Sequence, residues 1–585
     1  MKLSKYKFII WAMASMAFTS CGDFLDHLPD ERVDNLNEDQ VVKLLSTAYT
    51  VGNYGWICEV SSDNVIDINA PYYATQSNGD QIRVYYNLNA YGREDDEAFR
   101  FEPVKSSTNS DSPTAVWEGC YGAIATANHA LAHLDRLKAE KNGEVTASMR
   151  AAYGEAYLTR AFHHFILVNV FCQAWKNEEA SKADIGVPYV DKVNNDLIFT
   201  AARGNVADTY AKIEEDLERG LELVSDVNYE YPKWHFNVNA AHAFAARFYL
   251  YKRDYDKVIE HANAVLGTDR TLLPQMLMDY SRFDDCTRLT DYAEIWQGPN
   301  ENNNLMLIST YSTQWRRSVG CRYAYAGGAM RDIQNHLGPN WRWYMMPCAG
   351  VGGGTFWDGN SDHGYASSRI GERFQYSDKV AGIGYAHVIR REFTATELLL
   401  ERAEAYLLGK KDVDNCVADI IAYDDSRWSF SEANKKFYTS NNALQPLTHT
   451  MIQNYYTYDE RLGEDNQNPN VCKTWAFTQN MSPDFVVPVE LELYMNCIND
   501  MRRYETAYGG HRFFDMKRWG MEWSHTYGDA NVQTTVTLTW NDPRRAIEVP
   551  QEVMAAGMES SYSKPEEAKP ASSFTQNKEV PEFRK

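Results

Sequence analysis

A mostly α-helical, tetratricopeptide-like repeat scaffold, interrupted by long irregular loop insertions, is the fold class predicted by this 585-residue sequence. Three observations predict it. Apolar residues recur every three to four positions over several long stretches. The tetrapeptide Glu-Ala-Tyr-Leu occurs at 155–158 and again at 404–407, and Ala246-x-x-Tyr249-Leu250 is a looser echo. Glycine crowds into one region, with fourteen of the chain's 34 glycines between Gly298 and Gly384, a density that argues for loops and against regular helix.

In chain order, the amino terminus comes first. Lys2, Lys5 and Lys7 precede an apolar run, 8–18, too short to span a bilayer comfortably, and Phe18-Thr19-Ser20-Cys21 closes it. This resembles a bacterial lipoprotein signal, with Phe18 where the usual lipobox has Leu. The expectation is removal of 1–20 and lipidation of Cys21, giving an anchored rather than a spanning protein. The first amphipathic stripe is Met149, Tyr153, Tyr157, Ala161 and Phe165, widened by Phe162 and Ile166. The second is Val206, Tyr210, Ile213, Leu217, Leu221 and Val224, with Asn205 as its cap and Asp208 facing the positive end of the helix dipole. A helix–turn–helix follows from 239 to 266 with its break at Lys252-Arg253-Asp254. Thr394-x-x-Glu397 opens a later helix through Leu400, Ala403 and Leu407, and Gly409 is its expected left-handed stop. Small residues beside a Tyr in the first helix, and Ala262 in the second, are what close packing of repeated helix pairs requires.

Charge and cysteine usage exclude several classes. With Lys+Arg at 58 against Asp+Glu at 80, net −22, and no dense basic run, nucleic acid is not an expected partner. Nine cysteines remain after Cys21, scattered with no CxxC pair, so neither a zinc ribbon nor a redox motif is visible. There is no HExxH, GxSxG or Walker loop. His129 and His133 share a helix face at a spacing zinc could use, without an identified third ligand; no metal, cofactor or catalytic residue is assigned.

The insertion between about 291 and 387 carries Trp296, Trp315, Trp341, Trp343 and Trp357 among its glycines. A second aromatic area lies near the amino end, at Tyr54-Gly-Trp56, Tyr72-Tyr73, Tyr85-Tyr86 and Tyr91-Gly-Arg93. Loops that present aromatic rings from a rigid scaffold make a binding surface, suited to ligands with C–H faces and polar rims such as sugar rings.

Several blocks, in order, resemble the SusD/RagB family of Bacteroidetes outer-membrane lipoproteins. They are Cys21-Gly-Asp-Phe-Leu-Asp26 with Pro29; Glu155-Ala-Tyr-Leu-Thr-Arg160-Ala-Phe162; Gly186-Val-Pro-Tyr-Val190; and Arg203-Gly-Asn-Val206 through Asp216-Leu217. Later come the Ala-rich hairpin at 240–255, Glu397-Leu-Leu-Leu-Glu-Arg-Ala-Glu-Ala-Tyr406 and Arg512-Phe-Phe-Asp-Met-Lys-Arg-Trp519-Gly520. Two segments depart from the family pattern: Thr506-Ala-Tyr-Gly-Gly lacks the usual acidic residue before Gly, and Ile547-Glu-Val-Pro550 runs on to Gly557 without the usual Asn-Pro turn. These blocks read as scaffold. The resemblance implies a surface-exposed, non-catalytic lipoprotein of the outer membrane that binds an oligo- or polysaccharide and delivers it to a SusC-like TonB-dependent barrel.

On that implication the expected ligand-binding residues are Tyr72, Tyr73, Arg83 and Tyr85 from the early loops, and Trp296, Asn302, Trp315, Trp341, Trp343 and Trp357 from the insertion. The expected organisation is a signal, 1–20, and one domain, 21–585. The domain divides into an amino-terminal part (22–225), a helical hairpin region (226–290), a glycine- and aromatic-rich insertion (291–390), a carboxy-terminal part (391–556) and a polar tail (557–585). Capture of a non-carbohydrate nutrient such as peptide, a purely structural role beside a transporter, and glycoside hydrolysis are the other readings.

Overall fold

Each of the three Tyr/Ala motifs lies in the first helix of a helical hairpin. The computed structural model describes residues 36–75, 81–105, 109–193, 202–283, 286, 288–318, 320–325, 367–426, 446–456, 482–563 and 576–577. Its principal helices are α1 (Glu38–Leu45), α2 (Pro113–Glu140), α3 (Ala147–Phe171), α4 (Val206–Leu223), α5 (Val238–Lys252), α6 (Tyr255–Leu266), α7 (Ala395–Ala405), α8 (Val413–Ser426), α9 (Glu492–Glu505) and α10 (His511–Arg518). Successive helices pack antiparallel as α2–α3–α4, α5–α6 and α7–α8, and α6 against α7 joins the last two hairpins. This is the predicted mostly helical, repeat-like scaffold.

The caps were legible. Asn205 accepts from the Asp208 amide at the start of α4, and Thr394 Oγ1 accepts from the Glu397 amide at the start of α7. The α5–α6 break falls at Arg253, in the left-handed region at φ +66°. The end of α7 differs from expectation. Gly409 does not stop the helix in a left-handed conformation; Tyr406–Lys410 continue as a π-helical turn and Lys411 takes φ +53°. A Cβ on Gly409 would lie 2.3 Å from Tyr255 Cβ, so that glycine is required by the close approach of α6, not by its dihedral freedom.

The stripe expected on α3 is too narrow a description. From Ala151 to Phe171 every residue except Tyr157 is buried, because α2, α4 and α5 enclose the helix. Gly154 and Gly220 let α3 and α4 touch: a Cβ on Gly154 would come within 2.7 Å of Val224 N, and one on Gly220 within 2.6 Å of Leu158 Cγ. Phe162 projects from α3 into a cage of Phe236, Phe244 and Phe393, with centroids 5.6, 5.4 and 5.6 Å away.

The polar residues of the recurring blocks serve as internal ties. Glu155 accepts from Tyr49 Oη at 2.6 Å and pairs with His235 at 2.8 Å, while Arg160 holds Asp216 bidentately at 2.7 Å through both bonds. In the second motif, Glu404 takes both Nη groups of Arg518, at 2.5 and 2.7 Å, and Trp519 Nε1 at 3.0 Å. Arg518 Nε also donates to Asp515, which Arg502 grips as well. Burial pushes the Asp515 carboxyl up, but these two guanidinium groups outweigh it and hold it below the usual carboxylate range.

His163 and His164 staple α3 to its surroundings as neutral imidazoles. In each, Nδ1–H faces the carbonyl one turn back, and Nε2 accepts a backbone amide at 3.0 Å, from Thr50 for His163 and Val190 for His164. Burial lowers their pKa values to about 4 and about 3. Both shifts are downward, so the stabilisation is present above pH ~6.5 and is lost as pH falls toward the folded values, because only the unfolded chain takes up protons there. The melting temperature is expected to fall by several degrees between pH 6.5 and 4.5, with a shallower slope in His164→Gln; calorimetry across that range checks it.

Strands are few. β1 (Tyr72–Thr75) and β2 (Gln81–Val84) form a hairpin. β3 (Asn304–Tyr311), β4 (Arg373–Asp378) and β5 (Ile383–Thr394) form an antiparallel sheet with β5 in the centre. β6 (Trp523–Gly528) pairs with β7 (Gln533–Leu538). The glycine-rich insertion is thus framed by regular strands, where composition argued for loops. Cys58, Cys120, Cys172, Cys321, Cys416 and Cys497 are free thiols, and among the described residues no helix is long and apolar enough to cross a membrane.

Candidate functional site

The three-stranded sheet has one face on the core and one toward solvent, and its alternation decides which side chains a ligand can meet. Along β5, Val388, Arg390 and Glu392 point inward, and Arg390 lies 3.9 Å from the Tyr54 ring centroid. Tyr385, His387, Ile389 and Arg391 occupy the opposite face. Register adds the neighbours: Gln375 opposite Tyr385, Arg373 and Tyr311 opposite His387, and Ser309 opposite Ile389.

Two exposed rings stand together on this face. Tyr385 is 55% and Tyr311 37% exposed, with centroids 5.1 Å apart and planes 35° apart. Tyr311 is held by its amide bond to Val51 O at 2.8 Å. Beyond the core the β4–β5 hairpin projects, presenting Phe374 and Tyr376 on its other face and Val380 and Ile383 near its tip, all exposed. Asp378 Oδ1 accepts from the Val380 and Ala381 amides and Gly382 takes φ +67°, which fixes the turn. At the base, Arg316 pairs with Glu372 and Arg373 Nε donates to Gln297 Oε1 at 3.2 Å. Exposed aromatics on a rigid sheet, flanked by Arg, Gln and His, can stack on a ring and hydrogen-bond its rim.

The residues expected from sequence are distributed unevenly. Arg83 and Tyr85 are exposed on the β1–β2 hairpin, the guanidinium 5.6 Å from the ring, with Arg83 Nη2 donating to Ala530 O at 2.6 Å. Tyr72 and Tyr73 lie on β1. Asn302 is exposed and donates to Gln275 O at 3.0 Å. Trp315 is half-buried against the main core in the short helix Gln314–Arg317, just after β3. Trp296 is not a surface ring: it is 1% exposed, packed with Met278, Tyr280 and Phe283, and covered by the guanidinium groups of Arg369 and Arg391, each 4.7 Å from its centroid. Tyr54 and Trp56 are likewise interior, bonded to Glu392 and Asp95. Cys21, Trp341, Trp343 and Trp357 lie outside the described residues.

Sequence reasoning missed Tyr311 and Tyr385. The signal was present in the alternation of 383–391, Ile-Gly-Tyr-Ala-His-Val-Ile-Arg-Arg, after a Gly turn. A separate apolar cleft of about 480 Å³ runs between α2 and the 552–558 segment, floored by Trp117, Tyr121, Val190 and Met558. It contains none of the expected ligand residues, and its scarcity of inward polar groups suits a sugar poorly.

Residues 23–250 match the SusD-like_3 family model, described as starch-binding, associating with outer membrane. Over that stretch the chain is similar to the SusD-like family. A crystal structure of a SusD superfamily protein from Bacteroides thetaiotaomicron aligns over 90% of this chain and 99% of its own, at 15% identity and a TM-score of 0.51. A putative sugar binding protein from Bacteroides vulgatus aligns over 89% and 97% at 17% identity, TM-score 0.50. A SusD-like carbohydrate binding protein from the same species aligns over 89% and 96% at 14% identity, TM-score 0.50. At these identities the likeness speaks for the SusD-like fold. No curated protein matches the chain.

Proposed function

We propose that this SusD-like chain is a lipid-anchored outer-membrane protein, facing the cell exterior, that captures an oligo- or polysaccharide and passes it to a SusC-like TonB-dependent barrel without cleaving it. The observation that carries the capture step is the exposed Tyr311–Tyr385 pair on a solvent-facing sheet whose neighbours, Arg373, Gln375 and His387, supply hydrogen-bonding groups. A sugar ring offers C–H faces to the tyrosines and hydroxyls to the polar rim. The family description of starch binding at the outer membrane, and the sugar- and carbohydrate-binding descriptions of structural neighbours, support the same reading. Anchoring rests on Cys21 behind its short apolar run.

The non-catalytic part rests on how the carboxylates of the family blocks are used. Glu155, Asp216, Glu404 and Asp515 are all buried and engaged by partners of the scaffold. The test is a screen of residues 22–585 against immobilised plant, host and microbial polysaccharides, with reducing ends assayed in parallel. Retention on at least one glycan without release of reducing ends is the expected result. Release of reducing ends, or retention on none, overturns the proposal.

A further inference from the structure

The solvent face of the sheet carries more positive charge than a neutral sugar needs. The chain as a whole is strongly acidic, at −22, yet this face sets Arg373 beside His387 and Arg391 farther along the same strand row. Among the described residues neither Arg373 nor Arg391 has a carboxylate within ion-pair distance; Arg373 donates to the neutral amide of Gln297 and Arg391 lies over the Trp296 ring. Among the described residues, Arg391 Nη1 and Trp296 Nε1 are buried polar atoms without a hydrogen-bond partner. A buried donor left without an acceptor carries a desolvation cost, largest for a charged group, that an arriving anion would offset at Arg391.

The surrounding charges sharpen the point. Glu372, next to Arg373 in sequence, is already committed to Arg316. Burial first, and then repulsion from Arg369, lower the Arg391 guanidinium pKa to about 10, against the longer-range attraction of Glu505 and Glu301. A small cavity of about 50 Å³ lined by Arg369, Arg390, Arg391 and His511, with Glu397 and Glu505, lies at this end of the sheet. His387 is kept neutral by burial and by Arg373, so an anion arriving beside Arg373 would meet one fixed cation and one imidazole able to take up a proton.

We infer that the saccharide bound on this face is anionic, bearing carboxylate or sulfate groups that pair with Arg373 and Arg391 while its rings stack on Tyr311 and Tyr385. The inference rests on the glycan-capture reading and narrows its substrate class. His387 and Arg391, four residues apart on one strand, are separated by about 13 Å, a span that several linked sugar rings cover.

The decisive pair of probes is polygalacturonate and its methyl ester, which differ in charge and scarcely in shape, with chondroitin sulfate as the sulfate arm and amylopectin and galactan as neutral polymers. Binding is measured by affinity electrophoresis and calorimetry at 50 and 300 mM salt. The expected result is retention of polygalacturonate or chondroitin sulfate but not of the methyl ester, a loss of about tenfold in each of Arg373→Gln and Arg391→Gln, and partial rescue by Arg373→Lys. Arg373 lies toward solvent, so its variants keep the test valid if Arg391→Gln disturbs the Trp296 packing. Acidic polymer bound equally well by both variants overturns the inference. Binding of neutral polymers alone overturns it and leaves glycan capture standing; binding of no saccharide removes both.

Discussion

Replacing Arg518 with alanine is expected to destabilise the protein by about 3–5 kcal/mol, the usual effect of removing one member of a buried ion pair. The reason is the company this residue keeps. Its loss strips Glu404 of two charge-assisted bonds and Asp515 of a third, and all three side chains are interior. Arg502 and Trp519 would remain, each holding one carboxylate incompletely. The measurement is denaturant unfolding of Arg518→Ala, Glu404→Gln and the double variant. A double-mutant cycle should return a coupling on the order of 1–3 kcal/mol. A single-variant loss below about 1 kcal/mol, as for a surface substitution, would mean that this tie is not part of what holds α7 to α10.

Alanine at Tyr385 should act in the opposite way, abolishing or weakening glycan retention by about tenfold or more while leaving the fold intact. Tyr385 is half exposed and sits on a hairpin beyond the core, so its removal opens no cavity, and the melting temperature should stay within about 1–2 °C of the parent. Tyr311→Ala should lose less, because the rest of the platform survives, and the double variant should bind no better than Tyr385→Ala. The check is affinity electrophoresis on whichever polysaccharide the screen identifies, with a thermal scan of each variant. Unchanged binding in the double variant would move the ligand face elsewhere, with the β1–β2 hairpin and its Arg83–Tyr85 pair the first place to look.

The scaffold was legible because its signals are local. Asn205, Thr394 and the break at Arg253 act on amides and dihedrals within a few residues, and the repeated Glu-Ala-Tyr-Leu marks helices whose small residues permit close packing. The site was less legible because exposure is not a local property. Trp296 reads as a free ring in a glycine-rich stretch, and only the fold shows Met278, Tyr280, Phe283 and two arginines enclosing it. Tyr311 and Tyr385 lie 74 positions apart and become a pair only when β3 and β5 align in register. Gly409 failed as a stop signal for the same reason: the neighbour that demands a glycine there, Tyr255, comes from another hairpin.

The ties between the two ends of the chain bear on how the molecule comes to be folded. Tyr54 Oη meets His511, Asp63 pairs with Arg512, Trp523 Nε1 donates to Ser61 O and Arg83 reaches Ala530. Each contact closes a loop of more than 400 residues, so its entropy must be lost before the contact can repay it. The amino-terminal helices therefore emerge long before their partners exist, and Glu404 stays an uncompensated charge until α10 arrives. Assembly from one end toward the other is completed only when the late helix arrives, and a chain halted before residue 511 lacks every one of these ties.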